Sequence, residues 1–435
     1  MSRRLGVTCA ALFTCVLSAA LVFTRPAPES YDAQIMYQVT QSLVDHGNFI
    51  VHRDPFAMNI PYSHYGIGMS VLMAVPYWLA ERLRQDPAVW AMAVNAVVLA
   101  AISVTVLALG LAAGATAPQS LAAAMLTAFG TLLFPYVATG FSEPSIALAI
   151  MLGLLAIQTR HPAAAGAASG LALLMRIDSA LLVVPVLGAA AWVAEGRSRK
   201  AALRFAAGLL PAVIITGAYD TLRFGAPWST GYSFATFNHP LLAGLYGLLL
   251  SPAAGLFIYV PLLPLALVGL YLLALRLPVL AVAASVLLGI RIVLYAMWFA
   301  WAAYWAWGPR YLVAAMPAVA VGLIEICRRW SVLRPVVKAG AALLLALSVS
   351  VQLIGAAVQY DHAAMFAALL RAHPPISGPG FVIDESNPTT EAVFDRIYFD
   401  WSLWPIPDEA GDLLHGRFLA GHWLAPDPNL PAIAT

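Results

Sequence analysis

Charged residues and Pro/Gly clusters divide this chain into twelve apolar stretches, at about 5–24, 66–81, 88–111, 119–137, 141–158, 163–175, 179–194, 205–221, 253–274, 278–297, 311–326 and 339–358. Most approach the ~20 residues a helix needs to cross a bilayer core. Backbone N–H and C=O groups in hydrocarbon must be bonded within the segment, so each true span has to be a helix. Of the 435 residues, 61% are hydrophobic and 10% charged; soluble domains carry about 25% charged residues. A single globular core cannot hide that much apolar surface. The expected class is an all-α polytopic membrane protein. The net charge of +2 argues against a nucleic-acid partner. Cys9, Cys15 and Cys327 lie in or beside apolar stretches without metal-ligand spacing, and read as packing residues.

The start, MSRR followed by apolar residues, has two readings. A cleaved signal peptide is one. An uncleaved first span fits better, because the run Leu5 to Thr24 has full span length and RPAPES is a poor cleavage site. Lys and Arg in short loops set orientation. Arg197, Arg199, Lys200 and Arg204, and then Arg328, Arg329, Arg334 and Lys338, mark cytoplasmic loops, in agreement with Arg3 and Arg4. The loops at 25–65, 222–252 and 298–310 then face outward, as does the region after Tyr360. Residues 1–360 form a transmembrane domain, and 361–435 a small extracytoplasmic region resting on it. That last region holds ten of the 21 acidic residues and three basic ones, with isolated aromatics Phe399, Trp401 and Trp404. A cytoplasmic start and an outward end require an odd number of spans. About eleven are expected, and either 66–81 or 163–175 fails to cross.

Residues 29–48, ESYDAQIMYQVTQSLVDHGN, follow the first span. Met36, Val39 and Leu43 make one stripe of a helix, with Gln34, Gln38, Gln41 and Asp45 opposite. Such a helix lies along the outer interface. Asp32 falls in its first turn, where the helix dipole favours an anion. Glu29, Ser30 and Asp32 all have the chemistry of helix caps, so capping and function compete for Asp32. Glu143, in FSEPS, stands at an outer span end if 66–81 fails to cross, and at a cytoplasmic end if 163–175 fails. Arg176 and Asp178, in MRIDS, either neutralise each other or leave Arg176 facing an anion site. Arg223 follows Asp220 in YDTLRFG and precedes TGYS and GLYGLLLSPAAGLF, where Gly and Pro fit a re-entrant turn or a surface loop. Arg310 follows the Gly308-Pro309 break in WFAWAAYWAWGPRYL. Its permanently charged fork suits a phosphate. The tryptophans and Tyr304 around it read as interfacial anchors. His64 and Tyr65 precede Gly66 and Gly68 in YSHYGIG, where the glycines allow close backbone approach.

This order of elements resembles the GT-C superfamily of polytopic glycosyltransferases, which includes protein O-mannosyltransferases, aminoarabinose transferases of lipid A and oligosaccharyltransferase catalytic subunits. The likeness lies in layout along most of the chain: Tyr31-Asp32 and Tyr37 after the first span, the YGIGMS stretch, then TGYS, GLYGLLLSP and WGPRYL. The resemblance implies a sugar donor linked to polyprenyl phosphate and a glycan, lipid or protein acceptor, with transfer on the outer face of a bacterial cytoplasmic membrane. It implies that Asp32 is the general base or positions the acceptor. Arg310 foremost, with Arg176, Arg223, His64 and Tyr65, would meet the donor phosphate. Glu29, Glu143 and Asp178 are the other acidic candidates. Glu143 matches a second acidic position that some members use for a divalent metal. No second carboxylate neighbours it in sequence, so no cofactor is established by the residues, and a divalent metal at Glu143 stays open as what the resemblance implies. A transporter or flippase of a lipid-linked sugar is the alternative activity, and a non-catalytic assembly subunit a third.

Overall fold

The computed structural model describes residues 3–28, 30–51, 61–232, 237–303, 306–358 and 396–415. The helices are α1 (Arg3–Leu21), α2 (Tyr31–His46), α3 (Ile67–Arg82), α4 (Pro87–Met92), α5 (Val94–Ala112), α6 (Ala117–Gly130), α7 (Glu143–Gln158), α8 (Pro162–Met175), α9 (Ser179–Leu182), α10 (Val184–Ala194), α11 (Arg199–Phe224), α12 (Leu241–Leu250), α13 (Leu256–Tyr259), α14 (Leu263–Ala274), α15 (Pro278–Ala296), α16 (Met316–Arg329), α17 (Pro335–Ala357) and α18 (Pro405–Leu414). Among the described residues no strand forms beyond an isolated bridge between Ile50 and Tyr62. The chain is an all-α polytopic membrane protein. Six stretches are long and apolar enough to cross a membrane as single units, and shorter apolar helices stand among them.

Contacts between helix ends define two ends of the bundle. At one end Gln158 donates to the Ala112 carbonyl, Gln119 to that of Arg328, and Arg276 to that of Ala113. At the other, Arg25 after α1 donates to the Val358 carbonyl after α17 at 2.7 Å, and Asn95 of α5 reaches the carbonyls of Thr139 and Phe141. Eleven segments among the described residues run between these ends: α1, α4–α5, α6, α7, α8, α9–α10, α11, α13–α14, α15, residues 310–329 and α17.

The stretch at 66–81 is the one that does not traverse. A Cβ built on Gly68, at the start of α3, would lie 2.8 Å from the Leu174 carbonyl carbon at the end of α8. Mid-helix, Met73 stands beside Gly140 together with Ala33 of α2 and Met92 of α4. The Tyr77 hydroxyl then donates to Asp45 at 3.0 Å. Helix α3 therefore stays in the layer of α2, at one end of the bundle. The Ala/Gly-rich α8 does traverse. Its Gly166 lies directly on the Phe205 carbonyl of α11, and Gly208 of α11 on the Ala163 carbonyl of α8. Small residues let two helices in lipid approach this closely, so α8 is held by packing where its own length and hydropathy are modest. Helix α12 also remains at one end, with Gly244 on the Ala296 backbone and Gly247 on the Trp301 ring.

Two sequence expectations change here. Trp301 and Trp307 are not interfacial anchors: both are fully buried, Trp301 stacked on Phe399 at 5.5 Å and Trp307 against Tyr259 at 5.2 Å. Tyr304 and Trp305 lie outside the described residues. Cys327 is buried, but Cys9 is only partly covered and Cys15 is exposed. Of the region 361–435, residues 396–415 are described. Tyr398 and Phe399 pack on Trp301, and α18 packs on α17.

Candidate active site

The end of the bundle that holds α2 gathers most of the charged candidates. Ser30 caps α2, its hydroxyl accepting from the Ala33 N–H at 3.2 Å. That resolves the competition for Asp32, whose side chain is released from capping and turns inward. Glu29 lies outside the described residues. The buried face of α2 carries Ala33, Ile35, Met36, Val39 and Thr40. Ser70 of α3 donates to the Met36 carbonyl at 2.8 Å, and Thr40 to that of Ser70 at 3.1 Å, which fixes α2 on α3.

Helix termini place the charges. Asp32 is in the first turn of α2 and Glu143 is the first residue of α7, both at the positive end of a helix dipole. Arg176 caps the C-terminus of α8, and Arg223 lies in the last turn of α11, where the dipole favours a cation. Helices α7 and α8 form an antiparallel hairpin, so Glu143 and Arg176 meet across its open end. Arg310 follows Gly308, whose φ of +63° suits glycine, and opens a 3-10 turn over Arg310–Ala315.

These groups form an alternating chain. Arg310 pairs through Nη2 with Asp32, and its Nε donates to Glu143 Oε1 at 3.0 Å. Arg176 Nη1 stands 3.4 Å from that same oxygen, and Arg176 Nε lies 3.8 Å from Asp178. Asp178 accepts from the Tyr295 hydroxyl and has Arg291 Nη1 at 3.7 Å. Three carboxylates and three guanidiniums thus balance. Aromatic rings enclose them: Arg310 lies 3.6 Å over Phe141, Arg176 5.6 Å over Tyr311, and Tyr311 stacks on Tyr295 at 4.2 Å. Glu143 is 1% exposed and Arg310 8%, whereas Asp32 at 18%, Asp178 at 15% and Arg176 at 14% are the members that open towards the surface.

The surroundings tune Asp32. Burial pushes its carboxyl up, but the Arg310 charge and hydrogen bond, with Tyr65 and Arg176, outweigh burial and hold it below the ordinary carboxylate value. Burial, and then the facing Asp32 carboxylate, raise the Tyr65 phenol well above its ordinary value, so Tyr65 stays protonated and donates a hydrogen bond to Asp32.

Arg223 is placed differently from the other arginines. It is buried, paired with Asp220, and its Nη1 donates to the carbonyls of Ser63 at 2.6 Å and Tyr65 at 2.8 Å. Its ring neighbour Tyr219 lies 3.9 Å below the guanidinium. Arg223 therefore braces the 63–65 turn that presents Tyr65. His64 packs against Tyr65 at 3.9 Å and Tyr232 at 5.4 Å.

Sequence reasoning passed over Arg291, Tyr295, Tyr311 and Phe141. Arg291 carries the plainest missed signal, a lone arginine inside the apolar stretch 278–297. An ionisable residue within a span is a functional candidate by default.

The same architecture occurs in solved structures. ArnT from Cupriavidus metallidurans in the apo state matches with a TM-score of 0.50 at 13% identity, over 93% of this chain and 76% of that one. The ArnT structure bound to undecaprenyl phosphate matches with a TM-score of 0.51 at 14% identity, over 94% and 78%. The fold is GT-C-like. The archaeal oligosaccharyltransferase AglB from Archaeoglobus fulgidus, in complex with an inhibitory peptide and a dolichol-phosphate, matches at 12% identity and a TM-score of 0.49, over 92% of this chain and 60% of that one. No protein-family model matches the sequence, and no curated protein does. Within the GT-C-like bundle, Asp32 belongs to the loop after the first span, and Arg310 opens the penultimate traverse.

Proposed function

We propose that this chain is a glycosyltransferase that moves a sugar from a polyprenyl-phosphate donor to an acceptor hydroxyl of a glycan, lipid or protein. The observation that carries the reading is the Arg310 bridge, which puts one cation in contact with a surface-facing carboxylate and beside a second arginine. Polyprenyl phosphate leaves well when its developing charge meets preorganised cations. Arg310 spends Nε and one Nη2 hydrogen on Glu143 and Asp32, and its remaining N–H groups, with Arg176, are free in number to meet phosphate oxygens. Asp32 accepts the proton of the acceptor hydroxyl. The acceptor oxygen then forms the bond to the anomeric carbon as the bond from that carbon to the phosphate oxygen breaks. The electron pair leaves with the polyprenyl phosphate. Tyr65 orients Asp32, and Arg223 with Asp220 supports Tyr65 from behind.

The loops at the opposite end hold Arg197, Arg199, Lys200, Arg328 and Arg329. Positive loops stay cytoplasmic, which turns the site to the outer face of a bacterial cytoplasmic membrane. That ArnT has been solved with undecaprenyl phosphate supports a lipid-linked donor for this fold.

The experiment is incubation of purified protein with labelled polyprenyl-phosphate sugar and acceptor extracts. Release of free polyprenyl phosphate together with labelled acceptor is expected. Movement of intact donor between leaflets without release would instead make the chain a flippase, using the same arginines as a head-group site.

A further inference from the structure

The GT-C resemblance raises a divalent metal at the acidic positions, and the residues around Asp32 and Glu143 do not fit one. A divalent cation such as Mg²⁺ or Ca²⁺ needs several oxygen ligands at about 2.0–2.6 Å. Here the space between the two carboxylates is already bridged by a guanidinium, with Nη2 on Asp32 and Nε 3.0 Å from Glu143 Oε1. Arg176 Nη1 approaches that same Oε1 at 3.4 Å. The Phe141 ring, 3.6 Å from the Arg310 guanidinium carbon, covers one of its faces. Glu143 Oε2 is buried and without a hydrogen-bond partner, and Asp32, with Oδ2 on Arg310, also takes a hydrogen bond from the Tyr65 hydroxyl. Two carboxylates that each already hold a permanent cation do not offer the several oxygens a divalent metal needs. Among the described residues no group of three or more His, Cys, Asp or Glu could hold a metal ion.

We infer that Arg310 is the resident cation of the site, standing between the two carboxylates in place of a divalent metal. Its charge does three things at once. It neutralises the buried Glu143, holds Asp32 ionised and aligned, and faces the leaving phosphate. Glu143 fixes the fork so that Arg310 does not follow the phosphate away, which makes Glu143 a positioning residue. This rests on the transferase reading for what the cation serves, but the occupancy of the site by metal can be read without any transfer.

The test uses the full-length protein in nanodiscs, washed with EDTA and titrated with Mn²⁺ while free Mn²⁺ is followed by electron paramagnetic resonance. The expected result is no saturable one-to-one site in the wild-type protein and an unchanged isotherm in Asp32→Asn. A one-to-one Mn²⁺ site that disappears in Asp32→Asn would overturn the inference. Where transfer is measured as well, EDTA is expected to leave its rate within about twofold. A loss of more than tenfold, restored by Mn²⁺ or Mg²⁺, would overturn the inference while upholding the transferase itself.

Discussion

Both ends of the bundle bury a carboxylate among arginines, yet they are built in opposite ways. At the loop end opposite the candidate site, one carboxylate, Glu325, accepts from Arg328 Nε at 2.8 Å, Arg329 Nε at 2.7 Å and Arg276 Nη2 at 2.9 Å. Two of these partners lie three and four residues away on the same helix, so the cluster is mostly local. Its arginines are each about a third exposed, and Arg276 spends a further donor on the Ala113 carbonyl. That arrangement ties α14, α16 and the turn after α5 together. At the site end the charges balance one to one, come from helix termini far apart in sequence except for Arg291 within α15, and lie against aromatic faces. A buried ion pair is poor evidence for stability, since apolar residues of the same volume often stabilise as much. A chain of such pairs, partly open to the surface and assembled from six elements, is what the proposed transferase would need for a bound anion and a reacting hydroxyl. The loop end is a clamp, and the site end is arranged as the proposed transfer would need.

Substitutions sharpen that contrast. The largest effect is expected from Asp32→Asn, which keeps shape and removes the proton acceptor. Transfer should fall by about 10³-fold, within the range of a positioned general base, with a modest loss of thermal stability from the weakened Arg310 pair. A rate within threefold of wild type would remove Asp32 from the chemistry. Arg310→Ala comes next. It should lower transfer by about 10²-fold through lost charge stabilisation. It should also destabilise the fold by about 3 kcal/mol, because Glu143 is left buried beside Arg176 alone. Steady-state donor kinetics and thermal unfolding in detergent read the two effects separately. Glu325→Gln should reverse the pattern. Three arginines lose their carboxylate, at a cost of about 1–2 kcal/mol once their partial exposure is discounted, while transfer stays near wild type. Loss of transfer without loss of stability in Glu325→Gln would break the distinction between the two ends.

A smaller effect is expected from Asn95→Ala. The Asn95 amide donates to the carbonyls of Thr139 at 2.7 Å and Phe141 at 3.0 Å, the turn that delivers Phe141 and Glu143. Losing these buried bonds should cost about 1–3 kcal/mol and reduce transfer through Arg310 misplacement. The smallest signal is in pH. Because Asp32 is held below the ordinary carboxylate value, it is ionised throughout the neutral and mildly acidic range. Activity of the free enzyme should be flat down to about pH 4 and fall only below it. The stability that Asp32 contributes is present above the unfolded carboxylate value and lost as pH falls through its lower folded value. An acid limb near pH 6 in kcat/KM would contradict this.

Much of the frame was legible from the sequence. Parity of spans and the positions of Lys and Arg required an odd number near eleven, and left two stretches in question. They could not be separated by hydropathy. Helix α8 is short and thin in apolar side chains because it is packed glycine to backbone against α11, and packing is invisible in a linear pattern. Helix α3 is apolar because its outer face, Val75 and Trp78 among it, is exposed in the structure. The charge on Asp32 stood out because it follows a span directly, and Arg310 because a Gly-Pro break precedes it. The pairing between them was not legible, since 278 residues separate the two. Arg223 read as a third phosphate ligand, and the structure shows its Nη donors on Asp220 and two carbonyls, with Nε buried and unpartnered. Trp301 and Trp307 illustrate the converse: a tryptophan-rich stretch looks interfacial by composition, and only tertiary contacts show that two of its members fill the core.

The most direct test of the two-ended account is a cryo-electron microscopy map of the protein in nanodiscs with polyprenyl phosphate bound. Phosphate density is expected within about 3 Å of Arg310 or Arg176 nitrogens, beside Asp32, with the lipid tail leaving the bundle at that end. Phosphate density at the Glu325 end, or anywhere out of reach of both arginines, would contradict it.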